Sequence, residues 1–435
     1  MISNVILEPL PMPIREPIGS QDPNEKSLRR LGRVPLPGFS QCGMYVWVLL
    51  LAVVIIANTQ GCASLPQRNP LPDDFAGMAQ IPGMSERVRY WGDEPPPYER
   101  VWLGQSREEL EAQYSGVMGR EHNYLAISGG GPVGAFGAGL LVGWTEAGTR
   151  PEFTMVTGIS TGALSAPFAF LGPAYDAQLK EIYTRYSTDD LLKKRNILTA
   201  ITGDSAVSTK PLRALIARYF NEQVIDAFAA EFRKGRQLLI GTTDLDADRP
   251  VIWNITRIAA SGDPKAAELI HKVLIASASI PVAFPPVIIE VEADGKRYDE
   301  MHADGGTSTQ IFLYPVGLDW DLVVKKLDVK GEPHVYLIRN ARLKPVRKAM
   351  KRKVFPIADR SITSLIRTQG IGDMYRMYLA AERDGIDYYL AYVPDDFDEK
   401  AREMFDPEFM RKLFDLGYRL AKDGYPWKKA PPGFE

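Results

Sequence analysis

Two glycine-rich turns and one carboxylate supply the residue types that acyl transfer requires. Gly129-Gly130-Gly131 follows the strand-like run Tyr124-Leu125-Ala126-Ile127 and opens an apolar helical pattern that continues through Trp144. Amides at a helix N-terminus face a dipole that favours negative charge, so this turn can hold an oxyanion. Gly158-Ile159-Ser160-Thr161-Gly162 follows the strand-like Phe153-Thr154-Met155-Val156 and precedes Ala163-Leu164-Ser165-Ala166. A sharp strand-to-helix turn of this kind lifts a serine clear of the backbone, and Gly158 and Gly162 remove side chains that would clash there. The chemistry implied is serine hydrolysis, with Ser160 as nucleophile and the amides around Gly130 and Gly131 as oxyanion donors.

Each turn is weak by itself. Gly129-x-Gly131-x-x-Gly134 also fits a dinucleotide-binding fingerprint, but that motif needs an acidic residue about 20 positions on, at the end of the next strand. Here the next strand ends in Thr157-Gly158, and a serine turn stands where the ribose ligand should be. A third segment, Tyr298-Asp299-Glu300-Met301-His302-Ala303-Asp304-Gly305-Gly306, places a carboxylate directly before two glycines. It comes after the strand-like Val287–Val291.

Taken in this order, the three segments resemble the patatin-like phospholipase family. Gly241-Thr242-Thr243-Asp244-Leu245 and the stretch from Ala276 to Pro286 are also similar to that family, and the resemblance covers roughly residues 120 to 345. It implies a three-layer α/β/α sandwich with a mostly parallel central sheet and C-terminal helices. It further implies a Ser160–Asp304 dyad, an acyl-enzyme, an oxyanion hole at Gly129, Gly130 and Gly131, and an Asp-Gly-Gly turn at Gly305 and Gly306. The implied substrate is a lipid carboxylic ester, of phospholipase A, lipase or esterase type, cleaved without a cofactor. The sequence departs from the family at Val133, where many members carry Arg or Lys. That change removes a positive charge and puts a preference for anionic headgroups in question.

Two alternatives stay open. An α/β-hydrolase fold also uses G-x-S-x-G but requires a histidine after the acid. The four histidines are His122, His271, His302 and His334. His334 follows Asp304 but begins a strand pattern, and His302 lies beside Asp304, so all four read as non-essential, His302 least clearly. The other alternative is a catalytically silent, envelope-associated scaffold with the same fold. No His, Cys or carboxylate set shows metal-ligand spacing, so no metal is expected.

With 435 residues, 45% hydrophobic and 24% charged, the chain can bury a large core, and a net charge of −2 gives no reason to expect a nucleic-acid partner. The basic run Lys344, Arg347, Lys348, Lys351, Arg352 and Lys353 reads as a solvated helix face, with contact to anionic lipid headgroups as the second reading. Arg29, Arg30 and Arg33 precede an uncharged run from Met44 to Ala57, shorter than the roughly 20 residues a bilayer span needs and suited to a signal-peptide core. Gly61-Cys62-Ala63-Ser64 then resembles a bacterial lipidation site, although Thr59 and Gln60 depart from its usual pattern. Either a lipidated Cys62 or an uncleaved anchor puts the protein in a bacterial cell envelope, at a membrane surface and facing out of the cytoplasm.

The expected organisation is a leader over 1–61, a Pro-rich tether and adaptor over 62–118, a catalytic core over 119–345 and a C-terminal α/β extension over 346–435. That extension should contain a helix near Ser361–Glu382, a strand at Ile386–Val393 and a helix over about 399–422 that packs on the core.

Overall fold

The computed structural model describes residues 67–194, 207–347 and 349–434, and Pro66–Glu435 form one compact unit. The leader, the Met44–Ala57 run and Cys62 lie outside the described residues. Among the described residues, no helix is long and apolar enough to cross a membrane.

In chain order the strands are β1 (Arg89–Trp91), β2 (Asn123–Ile127), β3 (Met155–Ile159), β4 (Lys193–Lys194), β5 (Val207–Ser208) and β6 (Gln237–Asp244). They continue with β7 (Arg249–Asn254), β8 (Val287–Ala293), β9 (Lys296–Asp304), β10 (His334–Arg339) and β11 (Asp387–Tyr392). β4 and β5 form a separate two-stranded ribbon, and the rest make one sheet with the order β1-β7-β6-β3-β2-β10-β11. The run β6-β3-β2-β10-β11 is parallel throughout. β7 and β1 extend it antiparallel on one flank, and β9, itself paired with β8, adds antiparallel to β6.

Parallel strands buried on both faces read as continuous apolar runs, which is why Tyr124–Ile127 gives no polar alternation. Leu125 and Ile127 pack into one layer with Val156, Ile240 and the helices Gly134–Glu146, Thr161–Leu171 and Pro407–Lys422. Tyr124 and Ala126 face the opposite layer, with Leu337, Leu390, the segment Ile311–Leu313 and Met374 of the long helix Val354–Arg383. The result is a three-layer α/β/α sandwich, as the family resemblance implies.

The Gly134–Glu146 helix is buried almost all round because the C-terminal helix crosses it at backbone contact distance. A Cβ on Gly139 would lie 1.9 Å from the Phe414 carbonyl oxygen. That C-terminal helix starts at Pro407 rather than near 399, since the Asp406 carboxylate caps it by accepting the Glu408 and Phe409 amides. Leu413 and Phe414 are buried against the core. The long helix starts earlier than its sequence pattern, at Val354.

Residues 67–118 also pack on this unit. β1 joins the sheet edge, Val88 enters the core, and Arg68 bridges Asp246 and Asp299. The buried Arg89 guanidinium forms a two-pronged ion pair with Glu300 of β9.

Candidate active site

Ser160 sits where β3 turns into the Thr161–Leu171 helix, with φ 54° and ψ −121°, a conformation that L-residues rarely adopt. The turn is possible because nothing projects from its flanks. A Cβ on Gly158 would stand 2.4 Å from the Gly162 carbonyl oxygen, and one on Gly162 would stand 2.2 Å from that of Ile127. The Ser160 amide donates to the Ser277 hydroxyl at 3.0 Å, and that hydroxyl donates to the Gly241 carbonyl at 2.6 Å.

Asp304 reaches Ser160 through the sheet rather than through the sequence. β3 runs beside β6 until Ile159 pairs with Gly241; the next residue of β6, Thr242, pairs with Asp304 of β9. One strand therefore carries the serine turn and the carboxylate on successive register positions. The Asp304 amide donates to the Ser279 carbonyl, and its carboxylate accepts the Gly306 amide at 2.7 Å. Gly305 opens the short turn that aims this amide back. Asp304 is buried, and burial pushes its carboxyl up from the ordinary 3.8 to about 7, against the hydrogen bonds from the Ser160 side chain and the Gly306 amide.

The glycine turn lies beside this pair. Gly129 does not fit the oxyanion role expected for it, because its amide already donates to the Gln310 carbonyl at 3.1 Å. Among the described residues no acceptor pairs with the Gly130 or Gly131 amide. Gly131 has φ +54°, and a Cβ there would meet nothing within 4 Å.

Three residues that sequence reasoning missed hold these parts together. Buried Asn340, just after β10, donates from its side chain to the Ser128 carbonyl at 3.0 Å and accepts the Gly137 amide at 3.1 Å. Its own amide donates to the Ser128 hydroxyl. Gln310 ties the two turns by donating from its side chain to the Gly306 carbonyl at 2.6 Å while its carbonyl receives Gly129. Ser277 fixes the serine turn and is the only one of the three within a stretch that the sequence singled out.

None of the four histidines bonds to Ser160 or Asp304. His122 contacts the Tyr124 hydroxyl and Val117 carbonyl, His271 the Phe220 carbonyl, and His302 the Thr242 hydroxyl and Glu300 carboxylate. His334 lies 3.9 Å from the Asp387 carboxylate and packs beside the Tyr336 and Tyr389 rings.

Among the described residues the fold does assemble one grouping with metal-ligand atoms that the sequence spacing hides. Asp244, Glu300 and His302 bring such atoms within 4.8 Å of one another. Arg89 already neutralises Glu300: burial favours the neutral acid, but the guanidinium and His302 hold its carboxyl at about 2. A cation there would stand against a guanidinium, so this is a buried ion-pair network beneath β9.

A mainly apolar cavity of about 90 Å³, open to solvent at one side, is lined by Ser160 and Gly131. Leu164, Ile182, Leu212, Ile216, Phe220 and Phe284 are among its walls.

Residues 125–315 match the patatin-like phospholipase family model, a span that contains both glycine turns and Asp304. The chain carries a patatin-like phospholipase domain. The mostly parallel sheet with helices on both faces is consistent with the patatin fold. No curated protein matches the chain significantly. Among solved structures, the crystal structure of VipD from Legionella pneumophila is similar at 13% identity and a TM-score of 0.38, over 70% of this chain and 66% of that one, which is too distant to carry an argument.

Proposed function

We propose that the patatin-like domain hydrolyses lipid carboxylic esters through Ser160 and Asp304, by way of an acyl-enzyme. The observation that carries this reading is the buried Asp304 carboxyl beside the Ser160 turn, which burial pushes up to about 7, into the range where a carboxylate can take a proton at neutral pH. Asp304 takes the Ser160 proton as the hydroxyl attacks the ester carbonyl, and the Gly130 and Gly131 amides receive the oxyanion. Collapse of the tetrahedral species expels the alcohol, which takes the proton from Asp304. Water then loses a proton to the same carboxylate as it attacks the acyl-serine; collapse releases the fatty acid and expels the Ser160 oxygen, which takes the proton back from Asp304. The mainly apolar walls beside Ser160 suit an acyl chain.

The test is labelling with a fluorophosphonate and tryptic mapping, together with lipid profiling against mixed phospholipids and neutral esters. Labelled Ser160 and released fatty acid are expected in the wild type, and neither in Ser160→Ala. An unlabelled wild type that releases no fatty acid would leave a silent scaffold. We also propose that Cys62 is lipidated and tethers the domain to a membrane facing out of the cytoplasm. Mass spectrometry of membrane-extracted protein tests this, and an unmodified Cys62 in a full-length precursor would favour the uncleaved anchor.

A further inference from the structure

The chain between β10 and the core-packed half of the long helix leaves and rejoins the body at the candidate active-site edge. Asn340, which clamps the glycine turn, directly follows β10. Gln369 of the long helix donates its side-chain amide to the carbonyl of Ser308, just past the Asp304 turn. Leu343 still packs into the core and the Lys344 amide bonds Asp395, but beyond them much of the described chain is exposed. Residues 344–347 and 349–353 are exposed, as are Ile357 and residues 361–365, and the helix becomes buried only at Gly370.

What this segment exposes is unusual in two independent ways. Residues 344–368 contain eight Lys or Arg and one Asp, in a chain whose net charge is −2. Lys344 has Asp395 at 3.5 Å, while among the described residues Arg347, Lys351, Arg352 and Lys353 have no ion-pair partner. Beside these cations stand large aliphatic side chains in water: Leu365 is 69% exposed, Ile357 52% and Ile362 46%. Cations alone would fit any polyanion. Exposed aliphatic groups among them fit a surface that is anionic at its face and apolar just beneath.

We infer that residues 344–368 dock the enzyme on an anionic lipid bilayer, with the basic side chains among headgroup phosphates and Ile357, Ile362 and Leu365 at the acyl boundary. The inference rests on the lipid-ester reading of Ser160 for its purpose. The cavity at Ser160 lies at the same sheet edge, so docking there would bring the membrane's esters to the serine. The charge that Val133 fails to supply inside the site is thereby provided outside it, as affinity for the surface rather than for one headgroup.

The experiment uses the full chain with vesicles of phosphatidylcholine alone and of phosphatidylcholine with about one-third phosphatidylglycerol, for which each basic residue near the surface contributes about fivefold in affinity. Sedimentation reads binding, and hydrolysis of soluble p-nitrophenyl butyrate reads the basal site. Wild type is expected to prefer the anionic vesicles at least roughly tenfold. The triple variant Lys351→Gln, Arg352→Gln, Lys353→Gln should lose on the order of 100-fold on anionic vesicles and little on neutral ones. The double variant Ile362→Gln, Leu365→Gln should weaken binding to both compositions. Both variants should keep the soluble-ester activity.

Equal wild-type affinity for the two vesicle types would overturn the docking proposal, as would undiminished binding by the triple variant. Full binding by the double variant would also overturn it, by reducing the segment to a polyanion site without lipid contact. A wild type that selects anionic vesicles but leaves the soluble ester intact would uphold docking while removing the Ser160 reading.

Discussion

Asp304→Asn separates the stability cost of the candidate base from its chemistry. The carboxyl is neutral in both folded and unfolded chains below its ordinary pKa of 3.8, so it contributes nothing there. Between 3.8 and about 7 the unfolded chain releases the proton and the folded chain keeps it, so stability falls as pH rises. Above about 7 both states are ionised and the full cost is present. At about 1.4 kcal/mol for each pH unit between the two values, that cost is about 4 kcal/mol. Asparagine carries no charge to desolvate and can still accept the Gly306 amide, so its stability should lack this pH dependence.

The assay is denaturant unfolding of both proteins at pH 4.5 and pH 8. Relative to wild type, the variant should gain about 3 kcal/mol between the two conditions, since about 1 kcal/mol of the cost is already present at pH 4.5, whatever its packing costs at either one. Its esterase activity should vanish at every pH. In the wild type, kcat/KM on a short p-nitrophenyl ester should climb about tenfold per pH unit below about 7 and level off above, because the base acts only when deprotonated. Parallel stability curves for the two proteins, or a wild-type kcat/KM flat from pH 5 to 9, would refute both the buried-base argument and the dyad built on it.

Ser160→Ala and Ser160→Gly should both be inactive, but the glycine variant should be the more stable by about 1 kcal/mol, since it alone relieves the backbone strain; thermal unfolding reads the difference, and a less stable glycine variant contradicts the strain. Gly130→Ala would put a Cβ 2.3 Å from the Asn340 carbonyl oxygen, whereas the same change at Gly131 meets no atom and suffers only from its positive φ. Turnover should therefore fall about 100-fold or more in Gly130→Ala and less in Gly131→Ala, and the reverse order would relocate the oxyanion hole. Ser277→Ala leaves the buried Ser160 amide without its acceptor, so stability should drop about 1–3 kcal/mol with a lower kcat and little change in KM. Unchanged kcat would show that Ser277 does not position the turn.

Much of the candidate site is legible in the sequence because its parts are local. A glycine-flanked serine between a strand pattern and a helix pattern specifies its own turn, and Asp304-Gly305-Gly306 specifies another, so both residues can be named before any contact is known. The apolar run Tyr124–Ile127 likewise announces a doubly buried parallel strand. What local pattern cannot contain is pairing at a distance. Asp304 stands beside Ser160 because β6 borders β3 up to Gly241 and β9 from Thr242 onward, a register set by the whole sheet. Gly129 drops out as an oxyanion donor because Gln310, far along the chain, takes its amide. Asn340 and the Asp244–Glu300–His302 grouping have no spacing signature, since strands from separate parts of the chain bring them together. The pKa of Asp304 is decided by the same packing: its chemical type sets 3.8, and only the exclusion of water around it moves it to about 7.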